Sequence, residues 1–336
     1  MSISIDQALN LLYKPKEEEY DTFCTLHKGS SLFYRYIKNK YQEYLNVIKN
    51  INEKDLIYVL HEADELLGPN TKRRFKNLCE KIYKRILSIL EGLYSPNHTE
   101  ALILLERFLD GRDIVLKRYL KDMFINYLRI PFDNKTEYYR ILDWEEKEEC
   151  LNCWHTPYPI REKTSTGRYS LPGYPALYLG DCLETCQKEV GEEIPIGKRR
   201  WLGKFNLKEN KRLVCIDLRM SWALNDEGLE SYEKVNLLIT YPLRLVCSIK
   251  SLHKTEKFCD EYLFSQALFS ILCAPTDPYT NRLVKYHGVV YDSTKLKGGT
   301  NYAIYAKPLS YPPSEDEVYS KELMEFFNHE KPLEIV

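Results

Sequence analysis

The chain has 336 residues, a formal net charge of −1 and 44% hydrophobic residues. This length allows one large domain or, more readily, two ordinary ones. The balanced charge provides no whole-protein attraction to nucleic acid or to an anionic membrane, so we expect neither as a partner.

The sequence also bears on the compartment. No run of 18 or more apolar residues is present, so no membrane-spanning helix is expected. The first residues, MSISIDQALNLLYKPKEEEY, lack the basic start and cleavage pattern of a secretory signal. Ten cysteines without the spacing of a small disulfide-bonded domain are typical of reduced thiols. We therefore expect a cytoplasmic protein.

Residues 1–130 predict an all-α bundle with an accessory, regulatory or partner-binding role. Four amphipathic segments are predicted to begin near Ser30 or Ser31, at Asn52, near Thr71 and near Thr99. A fifth helix is predicted from Ile114 to Tyr127. The apolar stripes of these segments fit the core of a bundle, and no repeat or metal-ligand spacing accompanies them.

The helical pattern ends at Ile130–Thr136, where we place a domain boundary. A second domain is then predicted over residues 137–310, followed by a C-terminal tail over residues 311–336. Short apolar runs predict strands at Ala176–Leu179, Leu213–Leu218, Leu243–Ile249, Gly288–Tyr291 and Tyr302–Ala306. Phe258–Leu272 predicts a long helix. Without regular strand–helix alternation, the pattern indicates an α+β fold.

Cysteine and histidine residues raise two alternatives. A C-x-x-C pair, Cys150 and Cys153, precedes His155, and Cys182 and Cys186 follow. Zinc needs four such ligands, but Cys182 and Cys186 stand one helical turn apart, where buried thiols are equally natural. We therefore expect no metal. Cysteine-based nucleophilic catalysis ranks lower, because nothing marks one thiol as activated. His155 is a weaker candidate for contact with phosphate or substrate.

Four stretches carry a family resemblance when taken together. They are YYRI around Arg140, GRYSLPGYPALYLG from Gly167 to Gly180, ETCQKE ending at Glu189, and GVVYDS ending at Ser293. Their order resembles the RES domain family, named for a recurring arginine, glutamate and serine, here Arg140, Glu189 and Ser293. Ser248 is the alternative to Ser293 as the family serine.

The resemblance covers residues 137–308 and implies a C-terminal mixed β-sheet domain similar to ADP-ribosyltransferases. It implies an enzyme that consumes NAD by phosphorolysis or hydrolysis of the nicotinamide–ribose bond, with NAD and inorganic phosphate as small-molecule partners. Members are often toxins held by an antitoxin, so a toxin or defence effector with a regulatory partner is expected, and self-association is open. Transfer of ADP-ribose to a macromolecule and an inactive RES-like adaptor remain as alternatives.

Cleavage of NAD predicts a role for each matched residue. A carboxylate stabilises the positive charge that develops on the ribose, which suits Glu189. Guanidinium groups bind pyrophosphate, which suits Arg140 and Arg168. The flat nicotinamide needs an aromatic surface, for which Tyr178 is the first candidate and Tyr169 the second. Ser293 would orient ribose or phosphate through its hydroxyl, assisted by Asn301.

Overall fold

The computed structural model describes residues 2–13, 30–63, 70–116, 120, 124–132, 137–145, 152–164, 166–221, 228–249, 259–273, 286–310, 312–314 and 316–335. The chain divides into two compact units. The first comprises Met1–Arg129, Leu218–Ile271 and Thr276–Leu283, and the second comprises Ile130–Asp217, Leu272–Pro275 and Val284–Val336. Helices and a mixed sheet are both present, which confirms the α+β class.

The described helices, in chain order, are α1 (Ile5–Tyr13), α2 (Ser30–Asn50), α3 (Glu53–Glu62), α4 (Thr71–Leu93), α5 (His98–Leu109), α6 (Leu183–Val190), α7 (Ser231–Cys247), α8 (Leu263–Cys273) and α9 (Lys321–Phe326). Short 3-10 helices occupy Phe124–Leu128, Tyr158–Lys163 and Asp260–Tyr262. The strands are β1 (Arg129–Pro131), β2 (Glu137–Glu145), β3 (Ala176–Gly180), β4 (Lys198–Leu207), β5 (Val214–Asp217), β6 (Gly288–Asp292), β7 (Thr300–Tyr305), β8 (Phe327–His329) and β9 (Leu333–Ile335). None of these helices has the length and apolar character needed to cross a membrane.

Four of the five helices predicted in the N-terminal part are confirmed as α2 to α5. The Asn52 side chain caps α3 by accepting hydrogen bonds from the backbone N–H groups of Lys54 and Asp55. The fifth prediction is wrong in its described part. Ile114 lies in a turn with 74% of its surface exposed, and the helical stretch from Phe124 is a 3-10 helix.

The strand predicted at Leu243–Ile249 is also wrong, because these residues mostly belong to α7. Every residue of α7 from Leu237 to Cys247 is buried, and the helix packs against α1, α3 and α4. A helix that is apolar all round has lost the 3.6-residue pattern that would distinguish it from a buried strand. Pro242 inside the run also made a helix hard to recognise, because proline usually interrupts a helix.

Pro242 is accommodated by a neighbouring helix. Proline has no backbone N–H, so the carbonyl of Leu238, four residues earlier, lacks its usual helical donor. The hydroxyl of Tyr44 on α2 donates to this carbonyl oxygen at 2.8 Å. The ring of Tyr44 also stacks on Tyr241 at 5.4 Å between centroids. A tyrosine of α2 therefore repairs the hydrogen bond that α7 loses.

Two further buried tyrosines donate hydrogen bonds from their hydroxyls to main-chain carbonyls of neighbouring helices. Tyr13 donates to the carbonyl of Leu237 at 2.7 Å, and Tyr83 donates to that of Ile37 at 2.8 Å. Burial raises the pKa of Tyr44 and of Tyr83, so both hydroxyls keep the proton that they donate. Part of the chain's large tyrosine content thus serves the core of the first unit.

The second unit is built on one mixed sheet with the strand order β1-β5-β6-β7-β3-β2-β4-β8, and β9 also pairs with β4. Strands β5 and β6 are parallel, whereas β6–β7, β7–β3, β3–β2 and β2–β4 are antiparallel. The segment 311–336, which we predicted to be a tail, contributes α9, β8 and β9. It joins the sheet because β4 offers one edge to both strands.

The basic run Lys198–Arg200 begins strand β4. Arg200 is buried, and its guanidinium donates to both carboxylate oxygens of Asp143 on β2, at 2.7 and 3.1 Å. This paired geometry joins β2 to β4 in addition to the backbone ladder.

The two faces of this sheet are packed differently. One face carries the main apolar core, which includes Tyr138 and Leu142 of β2 with Trp201 and Phe205 of β4. The other face receives α6, whose Cys186 packs with Tyr139, Ile141 and Leu202. Because side chains alternate along a strand, this arrangement fixes the face on which each neighbouring residue lies.

Candidate functional site

Glu189 lies on the sheet face that α6 covers, within a cluster of hydrogen bonds. Ser293 donates its hydroxyl proton to Glu189 Oε1 at 2.8 Å, and Asn301 donates from Nδ2 to the same oxygen at 2.9 Å. Ser293 follows β6, Asn301 lies on β7, and Glu189 is the penultimate residue of α6. Helix α6 and the β6–β7 hairpin, more than 100 residues apart in sequence, thus meet at one carboxylate.

The turn after β6 also holds the backbone of α6. Lys295 donates from Nζ to the main-chain oxygen of Glu189 at 2.5 Å. The hydroxyl of Ser293 accepts the backbone N–H groups of Lys295 and Leu296, each at 3.1 Å. The N–H of Ser293 donates to the carbonyl of Gly299 at 2.8 Å, which closes the turn.

Arg168 lies beside Tyr291 in the same region. Its guanidinium is 5.2 Å from the centre of the Tyr291 ring, a separation suited to a cation–π contact. The ring of Tyr169 also packs against Tyr291, with 4.8 Å between the two ring centroids. Tyr291 is directly opposite Asn301 across the β6–β7 ladder. Arg168 is therefore joined to the Glu189 cluster through one aromatic ring and one strand pair.

Tyr178 fixes the turn that carries Arg168. The hydroxyl of Tyr178 accepts the backbone N–H of Tyr169 at 3.2 Å and is 3.0 Å from the Ser170 hydroxyl. Gly167 allows this approach, because a Cβ at that position would lie 2.6 Å from both Ser170 Oγ and Tyr178 Oη. Tyr178 lies on the α6 face like Asn301, since Tyr178 pairs with Ala303 and β7 alternates.

Arg140 is the predicted residue that the structure places apart from this cluster. Its neighbours Tyr139 and Ile141 face α6, so the Arg140 side chain leaves β2 on the opposite face. There it is paired with Gly203 of β4, whose missing Cβ would meet Cys153 at 2.5 Å. Its assignment to phosphate binding stays a prediction.

His155 has a structural environment on the core side. Its Nε2 accepts the backbone N–H of Ser320 at 2.9 Å, so Nδ1 carries the proton and donates to the carbonyl of Thr156 at 2.7 Å. Burial lowers the pKa of His155 to about 4, and the charge of Arg140 adds to this effect while the Thr156 hydrogen bond opposes it. Both ring nitrogens are used within the fold.

Ser248, the alternative family serine, lies at the C-terminal end of α7 in the first unit, where its hydroxyl donates to the carbonyl of Leu245. Ser293 is the serine that contacts Glu189. Cys153 lies on the core face and Cys186 on the α6 face, while Cys150 lies outside the described residues. Within the described ranges, no three His, Cys, Asp or Glu side chains are grouped as metal ligands.

A separate shallow pocket lies at the opposite end of β3 and β7 from Gly180 and Asn301. Its lining includes Tyr158, Arg161, Tyr174 and Tyr305, together with three prolines. None of the predicted site residues and no carboxylate lines this pocket.

The sequence did not single out two residues that contact this site, Tyr291 and Lys295. Tyr291 lies inside the GVVYDS stretch that carries the resemblance, so its position beside Ser293 was a usable signal. Lys295 had none. A lysine in a polar turn is ordinary, and only the folded turn brings its ammonium group to the end of α6.

Comparisons with known proteins add one similarity. No family model matches the chain, and no solved structure matches it at a significant level. The protein described as "Putative toxin YopC" of Bacillus subtilis (strain 168) is 26% identical over 164 residues, covering 45% of this chain. The match spans 35% of that protein, about a third of its length. Over part of its length, the chain is therefore similar to a protein described as a toxin.

Proposed function

We propose that this chain is a toxin or defence effector that degrades NAD by cleaving the nicotinamide–ribose bond. The observation that carries the proposal is the Glu189 carboxylate, held by Ser293 and Asn301 and joined through Tyr291 to Arg168. The similarity to a protein described as a toxin supports the biological role, and the RES-like order of residues supports the chemistry.

The proposed step breaks the bond between ribose C1′ and the nicotinamide nitrogen, and nicotinamide leaves with the electron pair. Positive charge develops on the ribose ring during this step. A carboxylate next to the ring stabilises that charge, which is the role of Glu189. An oxygen of water or of inorganic phosphate then forms the new bond to C1′, and the attacking group releases its proton.

Arg168 supplies the cationic group for the pyrophosphate of NAD. A guanidinium held against an aromatic ring has fewer orientations than a free one, so less freedom is lost when it binds an anion. Tyr178 and Tyr169 keep the Arg168 turn in place, and Tyr178 places its ring on the α6 face of the sheet. These contacts support a site for a ligand that is both anionic and flat.

The experiment is to incubate the purified chain with NAD, with and without phosphate, and to measure nicotinamide release and the ribosyl product. We expect release with the wild type and its loss with Glu189→Gln. Glu184→Gln is the matched control, because Glu184 is an exposed glutamate of the same helix. Product found only on an added protein or nucleic acid would favour ADP-ribose transfer instead. Without release under any condition, the NAD-degrading proposal fails.

A further inference from the structure

The hydrogen-bonding capacity of Ser293 is already used within the fold. A serine hydroxyl has one proton to donate and two lone pairs to accept with. The proton goes to Glu189 Oε1, and the lone pairs accept the N–H groups of Lys295 and Leu296. A direct bond from Ser293 to ribose or phosphate would have to break one of these three. Its position therefore fits the support of Glu189 better than contact with substrate.

Glu189 Oε1 is held from two directions. Ser293 approaches from the turn after β6, and Asn301 approaches from within β7. Asn301 is 6% exposed and lies between Gly180 of β3 and Tyr291 of β6, so its backbone is fixed on both sides. Two donors on Oε1 occupy both of its lone pairs.

Lys295 holds the main chain of the same residue. The last carbonyl groups of a helix have no N–H partner within it, and a cation near them is favourable because of the helix dipole. The ammonium group of Lys295 fills this place at Glu189. The turn from Ser293 to Gly299 thus grips Glu189 twice, by its side chain and by its backbone.

We propose that Ser293, Asn301 and Lys295 are positioning residues that act on the reaction through Glu189 and do not contact the substrate. Lys295 is the residue that neither the sequence pattern nor the family resemblance indicated. This proposal rests on the proposed NAD cleavage for its kinetic part, and its structural part stands on the hydrogen bonds alone.

The kinetic test compares Ser293→Ala, Lys295→Met and Lys297→Met in steady-state NAD cleavage. Lys297 is exposed in the same turn, so Lys297→Met removes the same charge without touching Glu189. We expect Ser293→Ala and Lys295→Met to lower kcat roughly 10- to 100-fold, because small displacements of a catalytic group have effects of this size. KM should stay within about twofold, since uniform binding is unchanged. Lys297→Met should match the wild type, and Ser293→Thr should restore most of the kcat.

Two results would overturn the proposal. A large rise in KM for Ser293→Ala with unchanged kcat would indicate that the hydroxyl binds substrate directly. A further loss of activity when Ser293→Ala is added to Glu189→Ala would indicate that Ser293 acts independently of Glu189.

A second measurement separates this proposal from the proposed function. Denaturant unfolding of the wild type, Glu189→Ala, Ser293→Ala and the double variant forms a cycle that needs no activity. We expect the two substitutions to be non-additive, because each removes the same hydrogen bond. Additive effects would refute the positioning contact even in an active enzyme. If the effects are non-additive but the protein leaves NAD intact, the positioning contact stands and only the proposed function fails.

Discussion

Replacement of Tyr44 by phenylalanine tests how the helical unit tolerates a proline in its central helix. The substitution removes one oxygen atom and keeps the ring that stacks on Tyr241. It also removes the hydroxyl that donates to the Leu238 carbonyl at 2.8 Å. Because residue 242 is proline, no backbone N–H can take over as the helical donor.

The magnitude follows from the burial of this carbonyl. Leu238 and Tyr44 are both fully buried, so water does not replace the lost donor. A buried acceptor left without a partner costs about 1–3 kcal/mol of folding free energy. In a unit of this size, each kcal/mol lowers the melting temperature by about 2–4 °C. Tyr44→Phe should therefore melt several degrees below the wild type.

The assay is denaturant or thermal unfolding followed by helical circular dichroism. Tyr41→Phe is the control, because Tyr41 lies on the same helix. Its hydroxyl forms no hydrogen bond with the part of the chain that the structure describes. We expect it to cost less than about 1 kcal/mol. In a Pro242→Ala background, the new N–H can reach the Leu238 carbonyl, so Tyr44→Phe should cost much less there. An equal loss in both backgrounds would refute the link between Tyr44 and Pro242.

Three further predictions concern the second unit. The pKa of His155 falls from 6.5 unfolded to about 4 folded, so the unfolded chain binds more protons between these values. The contribution of His155 to the free energy of unfolding should be fully present above pH 6.5 and should decline by about 1.4 kcal/mol per pH unit down to pH 4. Unfolding measured at each pH tests this. His155→Gln should flatten the slope. Arg168→Lys should raise KM for NAD more than it lowers kcat, because it weakens paired contacts to phosphate; the opposite pattern in initial-rate kinetics would contradict this. Gly180→Ala should cost about 1–3 kcal/mol in denaturant unfolding, because its Cβ would lie 2.6 Å from Cys186 Sγ. Adding Cys186→Ala should recover part of that loss, and no recovery would locate the strain elsewhere.

The sequence predicted two kinds of element well, helices buried along one face and short apolar strands bounded by turn residues. Helices α2 to α5 show their buried residues at helical spacing, and β3, β5, β6 and β7 stand between turn residues. Helix α7 could not be recognised in this way, since burial on every side erases the periodicity. Helix α7 belongs to the first unit together with the helices that precede Arg129. This association joins residues far apart in sequence, so local sequence patterns do not reveal it.

The candidate site divides along the same line. The resemblance selected Glu189, Ser293 and Asn301, and the fold brings them together. From the sequence, Ser293 was assigned to contact with ribose or phosphate. The sequence could not show that the Ser293 hydroxyl is already saturated with hydrogen bonds, because that depends on the conformation of the following turn. Lys295 was invisible for the same reason. Arg140 was selected by its motif, but strand alternation, which also follows from sequence, places its side chain on the other face.

In the proposed reaction, Glu189 supports cleavage of the nicotinamide–ribose bond. The most direct measurement is nicotinamide release from NAD by the wild type, Glu189→Gln and Glu184→Gln, with melting temperatures recorded for all three. We predict release by the wild type and by Glu184→Gln, and a loss of at least about 100-fold with Glu189→Gln at an unchanged melting temperature. Equal release by Glu189→Gln and the wild type would contradict the claim.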